Sequence, residues 1–553
     1  MKKIPFLLLF LLFTVQTNFS QVKTKKFSNQ QFENQIKYYA LNDIPKEKMQ
    51  LVDVEKLLQE DEHEVGLDIP LRFGTALDVD ISLTKDGRWF NLATGRVWKL
   101  EIESEGAFSI NMIFDDFHLP DSAEINIYSS ESKIVFGPIT SKQNNPRNRF
   151  GTDLIMGDKV IIELFEPIER IGETRLHISK VIHGYKNLFK DYTADNNFDS
   201  ENCNNDVGCP EYDSWDNQAD AVALVLLGDG TRFCSGCLLN NTNNDFRPFF
   251  LSAFHCIDVG DPHVEKWIWD PYWGIWIDNE PDDSDGILQQ YEIAEAEDWI
   301  FRFKYESPTP VCDNSETPYD DFDYLTFFSS TFRAGWTESD FALVEMVTTP
   351  PQGDNAVFYA GWSRSTTALT SGVCIHHPAG DVKKISVENN TATAVAWVGG
   401  ATDHWRVNFD DGTCEPGSSG SPLFNQDRRV VGQCHGFQNY NPNLSFCDQP
   451  IVDFGRFNVS WNGNNTNNTR LSNWLDPLMI IGVNGSFNGA YRPCQITNLS
   501  YMTFNYNASY SNCQITISNS TVTNNSTLTL NAQTEVTLNG NFEVQLGSTL
   551  IIQ

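Results

Sequence analysis

From Leu71 onward the chain is dominated by short runs in which apolar and polar residues alternate. Examples are Val97-Trp98-Lys99-Leu100-Glu101-Ile102 and Val160-Ile161-Ile162-Glu163-Leu164. Turn-forming pairs separate such runs, at Asp86-Gly87, Pro120-Asp121 and Gly157-Asp158. A period of two turns one side of each strand inward, and short strands at this spacing predict a β-sandwich over about residues 70–186. Residues 22 to about 65 are richer in Lys, Gln and Glu and read as a surface-helical or loosely ordered lead. Strand-like segments resume beyond Cys203, as at Ala221 to Leu227. From about residue 486 the chain turns rich in Asn, Thr and Ser, and a period of eight appears: Leu528, Val536, Val544, Ile552, with Leu530, Leu538 and Leu546 in parallel. A fixed short interval predicts a stacked β-solenoid or small β-module; chance alternation in a sandwich is the competing reading. The expected fold is mainly β.

The ends and the composition set the compartment. Lys2 and Lys3 precede the apolar run Ile4 to Val15, followed by the more polar Gln16 to Gln21. A basic start and about a dozen apolar residues predict a secretory signal peptide, and a membrane span needs about 18 or more. No other run qualifies, so no membrane span is expected. All 12 cysteines lie beyond residue 200, and export permits disulfides. The charge balance is 39 − 73 = −34, which excludes nucleic acid as a partner because like polyions repel. Apolar residues at 40% exclude a mainly disordered chain. The expected order is a signal peptide at 1–21, a propeptide at 22–197, a catalytic domain at 198–485 and a β-rich tail module at 486–553. The Asn- and Asp-rich stretch Asp191 to Glu201 is the expected linker and processing region.

Three segments of the cysteine-rich region carry chemistry together: Leu251-Ser252-Ala253-Phe254-His255-Cys256, Ser339-Asp340-Phe341-Ala342-Leu343-Val344 and Gly417-Ser418-Ser419-Gly420-Ser421-Pro422-Leu423. A serine hydroxyl is a poor nucleophile at neutral pH and needs a base, which histidine supplies. A buried carboxylate then fixes the imidazole tautomer and stabilises the imidazolium. Backbone N–H groups would hold the developing oxyanion, and glycine next to the serine lets the chain adopt the turn this needs. The order His, Asp, Ser is that of a chymotrypsin-like double β-barrel. His255, Asp340 and Ser419 are therefore the candidate triad of a serine endopeptidase.

The region from Cys203 to about Val483 resembles the lysyl endopeptidase family of secreted bacterial trypsin-like proteases. The resemblance rests on Cys203-Asn204-Asn205-Asp206-Val207-Gly208-Cys209-Pro210-Glu211, Leu239-Asn240-Asn241-Thr242, Ala360-Gly361-Trp362 and Ile375-His376-His377-Pro378. It extends over Glu415-Pro416-Gly417-Ser418-Ser419-Gly420-Ser421-Pro422, Val431-Gly432-Gln433-Cys434-His435-Gly436, Phe454-Gly455-Arg456 and Arg470-Leu471-Ser472-Asn473-Trp474-Leu475-Asp476-Pro477. It implies a triad at His255, Asp340 and Ser419, an oxyanion hole at Gly417 and Ser419, and a tryptophan stacked on a histidine beside the pocket, here Trp397 and His435. It also implies the bridges Cys203–Cys447, Cys209–Cys312 and Cys234–Cys256. The pocket acid of the family falls on Val452, and the neighbouring acid is Asp453, one residue later. A shift of one residue in a strand reverses the face, so a broader or apolar P1 preference is expected in place of lysine, unless a loop rearrangement brings Asp448 or Asp453 to the pocket.

Beyond the family's pattern, Cys494 and Cys513 are expected to pair in the tail, and a Cys414–Cys434 bridge is expected to stiffen the pocket wall. His376-His377 resembles a metal pair, but neighbours on a strand point to opposite faces. The acidic stretch Asp278 to Glu297 lacks EF-hand spacing and reads as a solvated insertion. Trp267, Trp269, Trp273 and Trp276 within the insertion are expected to pack it onto the barrel near the cleft. No metal and no cofactor are expected; the expected partners are protein or peptide substrates and the chain's own propeptide. The localisation expected is extracellular, secreted or held at the cell surface. A protease-like binding or adhesion protein with a surface-attachment tail is the alternative.

Overall fold

The computed structural model describes residues 22–552 except 37, 39–42, 66–67, 189–199, 262–263, 265–266, 280–283, 311, 313–323, 354–355 and 398. The signal peptide at 1–21 and most of the expected linker lie outside the described residues, as does part of the acidic stretch. The chain divides into two compact units, Ser20–Thr349 with Phe358–Ala490, and Pro350–Val357 with Tyr491–Gln553.

In the large unit the predicted alternation becomes antiparallel sheet. Gly95–Glu103 pairs with Lys159–Pro167, which pairs with Glu124–Tyr128, and that strand with Ile134–Ile139. The strand Val22–Lys26 then joins Ile134–Ile139 on one edge and Tyr324–Phe328 on the other. Through it the sheet continues into Ile300–Phe303, Val222–Leu226, Arg232–Leu239, Phe249–Ala253, Phe341–Met346 and Ser330–Trp336. A second sheet, built on Ser109–His118, Arg175–Gly184 and Gly74–Ser82, covers the first part. Apolar positions of the alternating runs, among them Trp98, Leu100, Ile162 and Leu164, meet Met112, Phe114 and Ile178 in a core. The same core continues into Leu224, Phe233, Ile300 and Tyr324.

A third sheet carries Lys384–Glu388, Gly372–His376, Pro422–Asn425, Val430–Gly436, Ile451–Arg456 and His404–Asn408. Cys374, Trp405, Cys414, Leu423, Cys434, Val452 and Phe454 pack on one of its faces. Disulfides join Cys203 to Cys447, Cys209 to Cys312 and Cys234 to Cys256.

The smaller unit is a parallel structure. Ile496–Ser500, Ala508–Ser518, Thr527–Asn539 and Thr549–Ile552 form one parallel sheet, and Thr503–Phe504, Thr521–Val522 and Glu543–Val544 a second. Leu528 pairs with Leu550 and Val522 with Val544, so one strand layer repeats after 22 residues, 528 to 550, not after eight. The eight-residue period runs along the chain within and between sheets. Cys494 and Cys513 are bridged.

Asp153 and Arg302 tie the N-terminal sheets to the Ile300–Phe303 strand. Arg302 Nε donates to Asp153 Oδ2 at 3.1 Å, its Nη2 donates to the other oxygen, and Thr326 Oγ1 donates to the same carboxylate at 3.0 Å. Both charged groups are buried. Asp153→Ala would leave the guanidinium buried and unpaired, a loss of about 3–5 kcal/mol. Urea unfolding of the full chain checks this; a loss below about 1 kcal/mol would mean that water reaches Arg302.

Candidate functional site

Strand register brings the first two candidates together. Ala253 pairs with Phe341 where Phe249–Ala253 lies against Phe341–Met346. His255 follows the first strand in a 3-10 turn, Phe254–Cys256, tethered by the Cys234–Cys256 bridge. Asp340 precedes the second strand with φ 49°, a left-handed conformation that aspartate tolerates better than most residues. Its carboxylate accepts from His255 N at 3.0 Å and lies 3.0 and 3.1 Å from Nδ1. Burial alone would raise the Asp340 carboxyl, but the charges of His255 and His435 and the hydrogen bonds from His255 hold it below the usual carboxylate range.

Ser419 sits at a loop that needs its glycines. Gly417 has φ 100° and Gly420 φ 82°. A Cβ at Gly420 would come within 2.5 Å of the Ser235 carbonyl oxygen. Ser235, on Arg232–Leu239, pins this loop from the first sheet: its N–H donates to the Ser419 carbonyl at 2.7 Å and its hydroxyl to the Gly417 carbonyl at 2.8 Å. Ser418 accepts from Glu415 N and bonds His376 Nδ1 at 2.7 Å. Among the described residues no acceptor takes the amides of Gly417 and Ser419, and no partner takes the Ser419 hydroxyl. Ser419 and His255 line one cavity of about 560 Å³.

The third wall is aromatic. Trp397 stacks on His435 with ring centroids 3.8 Å apart, and His435 stacks on His255 at 5.5 Å. His435 Nε2 lies 3.8 Å from Asp340 Oδ2 and 3.3 Å from Asp68 Oδ2, a carboxylate of the N-terminal segment. Its Nδ1 is 2.8 Å from His404 Nε2, and His404 Nδ1 is 2.7 Å from Asp403. Burial would lower the His435 imidazolium, but the Asp340 and Asp68 carboxylates outweigh it and hold its pKa above the ordinary value. Sequence reading missed Asp68, Asp403, His404 and Ser235. All are common residue types, and only tertiary pairing marks them.

Val452 is fully buried in the apolar cluster, and Asp453 points the other way. Arg406 claims Asp453 with two bonds, Nε to Oδ1 at 2.8 Å and Nη2 to Oδ2 at 2.6 Å. Asp448 accepts from Ser445 on the exposed loop. None of these three lines the cavity beside Ser419; its walls there include Cys414, Glu415, Gly436, Phe437 and Phe446. Glu415 accepts from Glu201 N at 2.7 Å, and burial pushes its carboxyl up to about 8.

Two further expectations are corrected. Cys414 and Cys434 are thiols, not a bridge. They share their site with a third thiol, Cys374, whose Sγ lies 4.0 Å from Cys414 Sγ and 3.2 Å from Ser421 Oγ. The tryptophan insertion forms a hairpin, Trp267–Asp270 with Ile275–Asp278, whose Trp267 and Trp276 pack against His63 of the helix Val54–Glu64, not against the sheets around Ser419. Trp269 and Trp273 are exposed. The two adjacent histidines do face apart: His376 lies between Ser418 and Ser386 hydroxyls, and His377 Nδ1 donates to the Asp381 carbonyl. Cys374, His376 and Cys414 lie close enough to share an ion, but both nitrogens of His376 are already held.

Residues 198–443 match the family described as lysyl endopeptidase, C-terminal domain. The lysyl endopeptidase of Pseudomonas aeruginosa is 28% identical over 373 residues, 64% of this chain and 71% of that protein. Solved structures aligned with this chain include the inactive form of the Rv3671c protease of M. tuberculosis, at 11% identity over 44% of this chain and 87% of that one, with a TM-score of 0.23. Another is the thermostable serine protease AL20 from an extremophilic microorganism, at 11% identity over 43% and 92%, with a TM-score of 0.24. Among the described residues no helix is long and apolar enough to cross a membrane.

Burial pushes the Cys237 and Cys414 thiols up, so they resist alkylation in the folded chain. Thiol titration of the full chain should find no fast-reacting group when native and four after denaturation, those of Cys237, Cys374, Cys414 and Cys434. Two after denaturation would restore a bridge among them.

Proposed function

We propose that the chain is a secreted serine endopeptidase made as a precursor. The observation that carries this reading is the buried His255–Asp340 pair facing the Ser419 loop across one cavity. His255 takes the proton of the Ser419 hydroxyl as its oxygen attacks the scissile carbonyl. Asp340 holds Nδ1–H, so Nε2 is the basic nitrogen, and it stabilises the imidazolium that forms. The amides of Gly417 and Ser419 receive the oxyanion. The imidazolium then protonates the leaving amine, and water repeats the sequence on the acyl-enzyme. The 28% identity to a lysyl endopeptidase supports peptide substrates. The 198–485 part is read as a chymotrypsin-like double barrel, and 22–197 as its propeptide, leaving an extracellular enzyme.

Lysine specificity does not carry over. The position of the family's acid is apolar and buried at Val452, and the charge of Asp453 is spent on Arg406. A P1 ammonium buried without a free partner acid costs several kcal/mol. A broader or apolar preference fits a wall that includes Phe437 and Phe446.

A fluorophosphonate should label Ser419 in the processed protein and fail on Ser419→Ala. Asp340→Asn should lower kcat by about 10⁴-fold with little change in fold. Mass-spectrometric mapping of new termini in denatured proteins reads P1; strict cleavage after lysine would overturn the specificity reading while leaving the enzyme class intact.

A further inference from the structure

Asp68 comes to the site from a strap tied down on both sides. Before it, Asp61 pairs with Lys186 at 2.8 Å, and Glu64 pairs with Arg232 at 2.7 Å. After it, Leu71–Arg72 adds as a short strand to Arg232 and Phe233, and Arg72 bonds Asp61 and Glu60. Between these anchors Asp68, Ile69 and Pro70 line the cavity that holds Ser419 and His255. The Asp68 carboxylate forms an ion pair with His435 Nε2 at 3.3 Å, beside the Trp397 ring stacked on His435.

The hydrogen count of this arrangement follows from its two ends. Asp403 accepts from His404 Nδ1, which therefore carries hydrogen, and the pairing of His435 Nε2 with the Asp68 carboxylate at 3.3 Å calls for hydrogen there too. A third hydrogen lies between His404 Nε2 and His435 Nδ1, 2.8 Å apart. Two neutral imidazoles carry two ring hydrogens; this pair carries three, hence one positive charge. His435 faces two carboxylates, Asp68 and Asp340, which draw that charge to it. The other charged groups facing His435 are Asp340 at 3.8 Å, His255 stacked at 5.5 Å, and Asp453, which is held by Arg406. His404 faces Asp403, which also accepts from Trp397 N, and Arg456 of the neighbouring strand acts on Asp403.

We propose that Trp397, His404 and His435 form a carboxylate-binding seat beside Ser419, filled in this chain by Asp68, which stoppers the cleft while the N-terminal segment is attached. The stoppering of catalysis rests on the endopeptidase reading; the seat does not. Burial would raise the Asp68 carboxyl, but the hydrogen bond from His435 and the charges of His435 and His255 hold it low. The sign follows for each partner. The raised His435 gives its contribution in full below the ordinary imidazole value and loses it as pH rises through the raised value. The lowered Asp68 gives its contribution above the ordinary carboxylate value and loses it as pH falls through the depressed value. The seat therefore holds best between these limits.

The test uses the full chain carrying Ser419→Ala, so that it does not cleave itself, and reads hydrogen exchange at the amides of Asp68, Ile69, Leu71 and Arg72. Adding Asp68→Asn should lower their protection about tenfold at pH 6, the loss of one charge-assisted bond. The difference should shrink as pH rises through the His435 transition. Equal protection in the two chains at pH 6 overturns the seat, as does a difference that does not change with pH. His404→Phe, which removes the acceptor of His435 Nδ1, should act in the same direction. If that variant also loses protection along Val430–Gly436 it has disturbed the sheet, and Asp68→Asn alone decides. Labelling of the intact Ser419 by a fluorophosphonate is read separately: its absence in the processed protein ends the endopeptidase reading without touching the exchange result.

Discussion

The strand Val22–Lys26 is the constraint on which the large unit depends. Each of its edges is taken, one by Ile134–Ile139 and the other by Tyr324–Phe328. An extended strand left with an unpaired edge would expose a row of unmet N–H and C=O groups; here the first residues of the described chain close both edges at once. The consequence is a continuous sheet and a core that runs from Trp98 to Ile300. The buried Asp153–Arg302 pair fixes the same junction electrostatically. Asp68 reaches His435 between anchors on either side, Asp61 and Glu64 before it and the Leu71–Arg72 strand after it.

The acidity of the chain extends into the site, where histidine donors meet each carboxylate. The chain carries −34 overall, and its cleft gathers Asp340, Asp68 and Asp403 around three histidines and a tryptophan. Buried carboxylates are tolerated only where donors meet them. Each of the three has one: His255 for Asp340, His435 for Asp68, His404 for Asp403. Removing any one donor leaves an unmet charge within reach of the next, so the groups act as a coupled set and single substitutions there would not add.

What could be read from the sequence was what chemistry forces into fixed residue types. A nucleophile loop needs glycine where φ is 100° and 82°, so Gly417-Ser418-Ser419-Gly420 stands out. His255 and Asp340 flank strands whose pairing follows from alternation. The bridges implied by the family resemblance join the same cysteines as in the structure. Asp68, Asp403 and His404 escaped because an acid or a histidine carries no local signal of its eventual partner, and Asp68 lies 367 positions before His435 (435 − 68). The Cys414–Cys434 bridge was inferred from two flanking positions; a third thiol, Cys374, packed into the same space, could not be seen from spacing. The tail's layers escaped because a parallel rung is set by the length of a whole coil, which an eight-residue repeat of apolar positions does not measure.

The one-residue offset at Val452 and Asp453 shows how little separates a charged pocket from an apolar one. The strand Ile451–Arg456 pairs with His404–Asn408, so Asp453 stands opposite Arg406 and Val452 opposite Val407. Alternation sends the acid to the face where a guanidinium waits and the valine into the core. The same strand, His404–Asn408, supplies both the arginine that neutralises Asp453 and the histidine that bonds His435. The partners of Asp453 and of His435 thus come from neighbouring positions of a single strand, with Arg406 and His404 on the same side of it by their spacing of two. A change that freed Asp453 by altering Arg406 would add a third negative group near His435, beside Asp68 and Asp340. It would reinforce the cation there, so the charge of His435 depends on the partner of Asp453 as well as on Asp68 and Asp340.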